Sequence, residues 1–164
     1  MSAILSGCGT YRYRLERDVD PLHGSKRVAF VMVNPSTADA EQDDPTIRKV
    51  IGFAARMGAQ RVIVGNLFAY RATNIKALRS AADPIGIEND AHLRRILDEA
   101  DICVAAWGAL AKLPPNLRRR WSRFHDMAIS AGKRLMCLGT AQDGHPLHPC
   151  MIGYDRPVIE WRRP

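Results

Sequence analysis

Near-continuous apolar runs alternate along the chain with longer stretches in which apolar residues recur every three or four positions. The runs are Val28–Val33, Val62–Val64 extending to Phe68, Ile102–Ala106 and Leu135–Leu138. Strands that are buried on both faces have this unbroken apolar character, which is typical of a parallel sheet covered by helices. The order of runs and helical stretches therefore predicts a βαβαβαβ arrangement.

The first helical stretch carries its own start and stop signals. Asp44 suits the N-cap, Pro45 suits the first helical position, and Gly58 suits the C-terminal end. Its apolar stripe consists of Ile47, Val50, Ile51 and Ala54. The same periodicity predicts further helices over residues 89–100 and 116–131, and a short helical turn over residues 75–81 capped by Thr73 or Asn74.

Two segments have the pattern of edge strands. Tyr11, Tyr13 and Leu15 alternate with arginines, which predicts a half-exposed strand at an antiparallel edge, and Val158–Trp161 predicts another near the C-terminus. We therefore predict an α/β fold with three layers, α/β/α. It has a mainly parallel four-stranded central sheet plus the N-terminal edge strand, in a single domain over residues 1–164.

Charge and composition limit the classes of partner. The net charge of +7 attracts phosphates, which favours a nucleic acid or a nucleotide as partner without establishing one. No apolar stretch approaches the ~20 residues that a membrane helix needs, and no apolar signal segment opens the chain. We expect a cytoplasmic protein with reduced thiols and no membrane partner, and the sequence does not indicate its oligomeric state.

Metal and cofactor chemistry has no pattern to support it. The candidate ligands Cys8, His145, His148 and Cys150 do not have the spacing of a zinc site. Cys103 and Cys137 lie inside apolar runs, where a thiol packs as a small apolar group. The Gly-rich nucleotide signatures and the P-loop are also missing. We predict no metal and no cofactor.

Polar residues follow the predicted strands, where ligands bind in open parallel sheets. Asn34, Pro35 and Ser36 follow the first strand, and Asn66 ends the second. Trp107 follows the third strand, and His148 lies in the loop after the fourth. These positions are the candidate site.

Seven segments across nearly the whole chain carry a family resemblance. They are YRYRLER, NPSTADA, DDPTIRKVIGFA, VGNLFAYRAT, ENDAHL, AWG and GHPLHP. With these segments the chain resembles the bacterial family catalogued as domain of unknown function 1643, a resemblance that implies no activity.

Four segments carry a more remote resemblance. VMVNPS, VIVGNLF, VAAWG and LHPC are similar, in this order, to the motifs of the uracil-DNA glycosylase superfamily. The resemblance implies that fold and the hydrolysis of an N-glycosidic bond to a base, which is modified in some substrates, in DNA or a nucleotide. It would make the chain a hydrolase of DNA repair. In this family Asn34 would orient a water, Asn66 would read the base, and His148 would stabilise the leaving base.

Further contacts complete this hypothesis. Pro35, Ser36, Tyr70 and Trp107 would bind substrate, while Arg48 and Arg71 would contact phosphates. The loop after Pro35 lacks the aromatic residue that stacks on the base, for which Tyr70 or Phe68 are candidate replacements. Met151 and Ile152 are candidates for an apolar wedge, or for core positions.

Structural explanations compete with each of these roles. Asn34-Pro35 is also a common turn, Asn66 could clamp a loop through backbone groups, and His148 could be structural. Asp43 or Asp44 could supply a base, or Asp44 could only cap its helix. A solvated helix face, more readily than a track for DNA, is the expected role of Arg118, Arg119, Arg120 and Arg123.

Three rival functions remain open at this point. One is a non-catalytic nucleic-acid-binding domain, and another is a binder or hydrolase of free nucleotides or nucleosides. The third is a partner-binding scaffold. Whether the chain is an enzyme is therefore open in the sequence.

Overall fold

The computed structural model describes residues Met1–Pro164 and contains one seven-stranded sheet and three α-helices. The strands are β1 (Ser2–Leu5), β2 (Arg12–Asp18), β3 (Lys26–Met32), β4 (Ala59–Asn66), β5 (Ile102–Ala105), β6 (Leu135–Cys137) and β7 (Ile159–Glu160). The helices are α1 (Pro45–Arg56), α2 (Asn89–Glu99) and α3 (Arg120–Ser130). Short 3₁₀ helices cover Ile75–Arg79, Leu110–Lys112, Pro115–Leu117 and Pro149–Met151. The predicted mixed α/β class is confirmed.

The sheet is larger than the four predicted strands. Its strand order is β1-β2-β4-β3-β5-β6-β7. Neighbouring strands from β4 to β6 are parallel, and β1, β2 and β7 are antiparallel to their neighbours. Strand β3 lies at the centre, where Phe30 is in register with Val64 on one side and Val104 on the other.

The apolar runs of the sequence bury residues on both faces of this sheet. Along β3, Val28 and Phe30 belong to one core cluster, whereas Ala29 and Val31 belong to the other. Helix α1 packs in the first cluster, and α2 and α3 pack in the second. Both faces of the central strands are thus covered, as their apolar sequences require.

Helix α1 confirms the cap assignment. The Asp44 carboxylate accepts a hydrogen bond from the Ile47 N–H at 2.9 Å, and Gly58 has the positive φ of 72° that ends the helix. Helix α2 begins at Asn89 as expected. The third predicted helix is split, because residues 115–117 form a 3₁₀ turn before α3 begins at Arg120. The segment over residues 75–79 is a 3₁₀ helix that Asn74 caps.

The prediction for Tyr11–Leu15 is wrong in one respect. Strand β2 lies inside the sheet between β1 and β4, so β1 forms that edge. Arg12 and Arg14 are buried. Burial is tolerated because Arg12 donates to the Ala38 carbonyl, and Arg14 pairs with Glu16 and Glu99. The predicted C-terminal edge strand is present as β7.

None of the helices is long and apolar enough to cross a membrane.

Candidate functional site

A cleft of about 530 Å³ lies at the carboxyl ends of the parallel strands. Its walls come from the loops that follow β3, β4, β5 and β6, together with the first turn of α1. The lining residues are Val33, Asn34, Ser36, Thr46, Ala72, Thr73, Asn74, Ile75, Trp107, Gly108, Ala109, Lys112, His148 and Met151. This volume is in the range of small-molecule sites, about 300–1,000 Å³.

The cleft brings together four of the residues that the sequence singled out. Asn34, Ser36, Trp107 and His148 all line it. Pro35 is buried next to them in the chain without lining the cleft. The other predicted residues, which are Asn66, Tyr70, Arg48 and Arg71, lie outside the lining.

Asn34 ties two walls of the cleft together. Its Nδ2 donates to the Pro35 carbonyl at 3.0 Å and to the Ala72 carbonyl at 2.7 Å. A backbone hydrogen bond from Ala72 N–H to the Pro35 carbonyl, at 2.9 Å, supports the same contact. Both amide hydrogens of Asn34 are therefore used, and its Oδ1 is the polar atom left to accept a hydrogen bond.

His148 is placed by the short helix that follows it. Its Nδ1 accepts a hydrogen bond from the Cys150 N–H at 3.4 Å, so the imidazole caps the 3₁₀ helix Pro149–Met151. Burial lowers the pKa of His148 below 6.5, nearby Lys112 lowers it further, and Asp44 opposes the shift. The neutral imidazole with Nδ1 as acceptor carries its proton on Nε2, so His148 is a neutral hydrogen-bond donor.

Asn66 is buried away from the cleft lining. Its Oδ1 accepts a hydrogen bond from Arg12 Nη2 at 3.4 Å, and its Nδ2 has no partner. The Arg12 Nε also lacks a partner, although the side chain is only 2% exposed. Burial lowers the pKa of Arg12 to about 10, which leaves the guanidinium charged at neutral pH. Asn66 thus contacts a buried cation in this structure.

The aromatic residues near the site are held by one another. Trp107 is buried, and its Nε1 donates to His145 Nδ1 at 3.4 Å. Its ring packs edge-on against Trp161, with centroids 5.1 Å apart. Tyr70 packs edge-on against Tyr11, and Phe68 is fully buried. Of the aromatic candidates, only Trp107 reaches the cleft.

The two predicted phosphate contacts bind backbone carbonyls instead of facing the cleft. Arg48 donates to the Asp43 carbonyl at 2.7 Å, and Arg71 donates to the Gly9 carbonyl at 3.3 Å. The cation that does line the cleft is Lys112. The sequence pattern does not mark Lys112 as a site residue. Its one signal is that it is a lone cation in the apolar segment that follows Trp107.

Two arginines of β2 hold the long loop between β3 and α1, which carries Asn34 and Ser36. Arg12 donates to the Ala38 carbonyl at 2.7 Å. Arg17 donates to the Asp39 carbonyl at 2.5 Å and to the Asp43 carboxylate at 2.7 Å. The loop is therefore fixed by side chains from a different strand.

The three aspartates of this loop are engaged away from the cleft. Asp43 pairs with Arg17, and Asp44 caps α1. Asp39 accepts hydrogen bonds from the backbone N–H groups of Glu41 and Gln42, which hold its pKa below the usual value. The lining of the cleft contains no carboxylate. No group of three or more His, Cys, Asp and Glu side chains is arranged to hold a metal ion.

Comparison with known proteins identifies the family. A family model described as "Protein of unknown function (DUF1643)" matches residues 12–150, from the start of β2 to Cys150 beside His148. No curated protein and no solved structure matches the chain. These comparisons give no support to the resemblance to uracil-DNA glycosylases. The chain belongs to the family of proteins of unknown function named DUF1643.

Proposed function

We propose that the cleft binds the base of a nucleotide or of a nucleic acid strand and hydrolyses its N-glycosidic bond. The observation that carries this proposal is that Asn34 and a neutral His148 line the same cleft of about 530 Å³. A base needs hydrogen-bond donors and acceptors at its edge and apolar contact on its faces. The lining supplies both kinds of contact, because amides and hydroxyls alternate there with Val33, Ile75 and Trp107.

The reaction would use each side chain for one task. The C1′–N bond breaks with its electron pair moving to the base, and the oxygen of a water bonds to C1′. One proton of that water ends on the departing base. His148 Nε2–H donates a hydrogen bond to the base oxygen on which negative charge develops. Asn34 Oδ1 accepts a hydrogen bond from the attacking water and orients it.

Met151 supports contact with a stacked base. Of the two apolar residues that follow Cys150, Ile152 packs in the core next to α1, and Met151 is 67% exposed at the rim of the cleft. A flexible thioether at this position offers an apolar surface beside His148.

A second candidate function is base binding without turnover. The observation that favours it is the lack of a carboxylate in the lining, since Asp43 and Asp44 are held by Arg17 and by the α1 backbone. A water in this cleft would be oriented by an amide and not deprotonated by a strong base.

A screen for released base separates the two candidates. Wild-type protein is incubated with oligonucleotides and free nucleotides that carry uracil, hypoxanthine, xanthine or alkylated bases, and released base is measured by mass spectrometry. We expect His148→Asn to lower the rate about 10²–10³-fold, as when an oxyanion donor is lost. Asparagine suits the cap of the following helix but cannot supply the Nε2 donor. His23→Asn is the matched control, because His23 is exposed and lies outside the cleft.

Three results are distinguishable in this screen. Release by wild type and the control, with loss in His148→Asn, supports the hydrolase. Binding that depends on His148 without any release supports the second candidate. If no oligonucleotide or nucleotide is bound or cleaved, both candidates are contradicted.

A further inference from the structure

We propose that Lys112 forms a subsite for one phosphate group at the rim of the cleft, so that the ligand is a nucleoside monophosphate unit. This unit is either free or part of a strand. The inference rests on the proposed function, because it assumes that the cleft binds a base.

Lys112 is the only formally charged side chain in the lining. The remaining polar lining consists of amides, hydroxyls, the Trp107 indole and His148, which is neutral at neutral pH. The Lys112 ammonium takes part in no ion pair and donates no hydrogen bond within the protein. Its positive charge therefore has no internal counter-ion and faces a cleft that contains no carboxylate. An anionic group on the ligand would complement it.

The segment that carries Lys112 is anchored on both sides. Leu110 N–H donates to the Asp143 carboxylate at 2.8 Å, before the lysine. Arg118 Nε donates to the Leu113 carbonyl at 3.1 Å, directly after it. The backbone position of Lys112 is therefore fixed, and only its flexible stem remains free to adjust to a ligand.

The position of Lys112 relative to His148 suits a phosphate next to a base. The two side chains line the same cleft, and the lysine charge is close enough to lower the pKa of His148. A ligand whose base lies against His148 would have its sugar phosphate within the reach of a lysine on the neighbouring wall.

The lining also limits the number of phosphates. Polyphosphate sites combine a Gly-rich loop, several backbone N–H donors and more than one cation. This cleft has one lysine, no arginine and no such loop. The side chains of Ser36, Thr46 and Thr73 can bind hydroxyl or carbonyl groups, but they cannot balance the charge of a triphosphate. The geometry therefore fits one phosphate and not three.

Calorimetric titration tests this subsite. The probes are deoxyuridine, deoxyinosine, deoxyguanosine and deoxycytidine, each as the nucleoside, the 5′-monophosphate and the 5′-triphosphate. In wild-type protein we expect the monophosphate of the bound base to bind about tenfold more tightly than its nucleoside, the gain of one charge-assisted contact. The triphosphate should show no further gain. Lys112→Gln should remove the advantage of the monophosphate and leave the affinity for the nucleoside unchanged.

Lys76→Gln is the matched control. It removes the same charge from an exposed lysine beside the cleft whose side chain does not line it, and it should keep the advantage of the monophosphate. Equal affinities for nucleoside and monophosphate, or an advantage that survives Lys112→Gln, would overturn the phosphate subsite. The base-binding proposal would then still stand. If no probe binds to wild type at millimolar concentration, base binding fails and the subsite fails with it.

Discussion

Burial favours the neutral form of three histidines in this protein. One of them, His145, binds Trp107 in the wall of the cleft. Burial lowers the pKa of His92, His145 and His148 below 6.5. Protonation of His145 would disturb a buried contact, because its Nδ1 accepts the Trp107 indole N–H. A proton on Nδ1 would place two donors against each other and cost this hydrogen bond.

We therefore expect stability to fall as the pH drops below 6.5. The unfolded chain titrates its histidines near 6.5 and the folded chain at lower pH, so the unfolded state binds more protons in between. His145→Gln should reduce the loss of unfolding free energy between about pH 7 and pH 5.5, because glutamine can accept from the indole and does not titrate. Urea unfolding at both pH values measures this loss.

The exposed His23 supplies the control for this experiment. His23→Gln should retain the pH dependence of the wild type, since the His23 side chain is 82% exposed. Identical pH dependence in His145→Gln and wild type would contradict the role of His145. Asp90 and Glu99 do not affect this comparison. The pKa of Asp90 is below 3.8 and that of Glu99 is below 4.5, so the stability that their ionised forms contribute is lost only at lower pH.

At the scale of elements, strand β2 determines the shape of a loop to which it is not adjacent in sequence. The loop between β3 and α1 contains no regular structure from Val33 to Asp44. Arg12 and Arg17 reach it from β2 and satisfy its carbonyl groups. A cleft wall made of irregular backbone is thereby given fixed hydrogen-bond partners.

Replacing Arg17 by methionine tests this dependence. We expect Arg17→Met to lower the free energy of unfolding by about 2–4 kcal/mol, because the Asp43 carboxylate and the Asp39 carbonyl lose a buried donor. Amide hydrogen exchange in residues 36–44 should become faster. Urea unfolding and exchange mass spectrometry measure the two effects.

Arg27 of β3 provides the control for this experiment. It pairs with Asp101 at 3.9 Å, and both side chains are about half exposed. Arg27→Met should cost less than about 1 kcal/mol and should leave exchange in residues 36–44 unchanged. Similar losses in the two variants would show that Arg17 does not hold the loop.

The same strand shows where sequence reasoning reached its limit. The runs of β3, β4, β5 and β6 were predictable because a strand covered on both faces has to be apolar throughout. The alternation of Arg12 and Arg14 with apolar residues was not diagnostic. An arginine that points to water and an arginine that is buried against carbonyls or carboxylates have the same sequence pattern.

Some residues of the candidate site could be predicted from the sequence, and others could not. Asn34, Ser36, Trp107 and His148 were predictable because parallel strands bring their carboxyl ends to one edge of the sheet. Lys112 was not, since it lies in a short 3₁₀ segment without helix or strand periodicity. Asn66 ends its strand as expected, but its side chain contacts Arg12 and not the cleft. The direction of a side chain at the end of a strand depends on neighbours that the sequence does not reveal.

At the scale of the whole molecule, the net charge of +7 is not gathered in the cleft. Three of the arginines are buried in β2, and Arg120 pairs with Asp90 while its Nε donates to the Leu67 carbonyl. Arg118 also binds backbone carbonyls, so the basic segment over residues 118–123 has a partly structural role. The cleft itself contributes a single cation, Lys112.

We therefore expect oligonucleotides to bind the cleft with a shallow dependence on salt. One lysine–phosphate contact predicts a slope of about −0.7 in log affinity against log salt concentration for a single strand. Fluorescence anisotropy between about 50 and 300 mM salt measures this slope, which Lys112→Gln should bring close to zero. A slope of several units would contradict the expectation and indicate an extended basic surface.

The place of β2 in the sheet has a consequence for the order in which the molecule assembles. Leu15 of β2 pairs with Val64 of β4. During synthesis β2 therefore leaves the ribosome long before β4, the strand with which it pairs, has been made. Contacts between distant parts of a chain close late because of the entropy of the intervening loop. The arginines that hold the cleft loop reach their positions only when β4 has paired with β2. During refolding, ligand binding should therefore recover only once β2 has paired with β4.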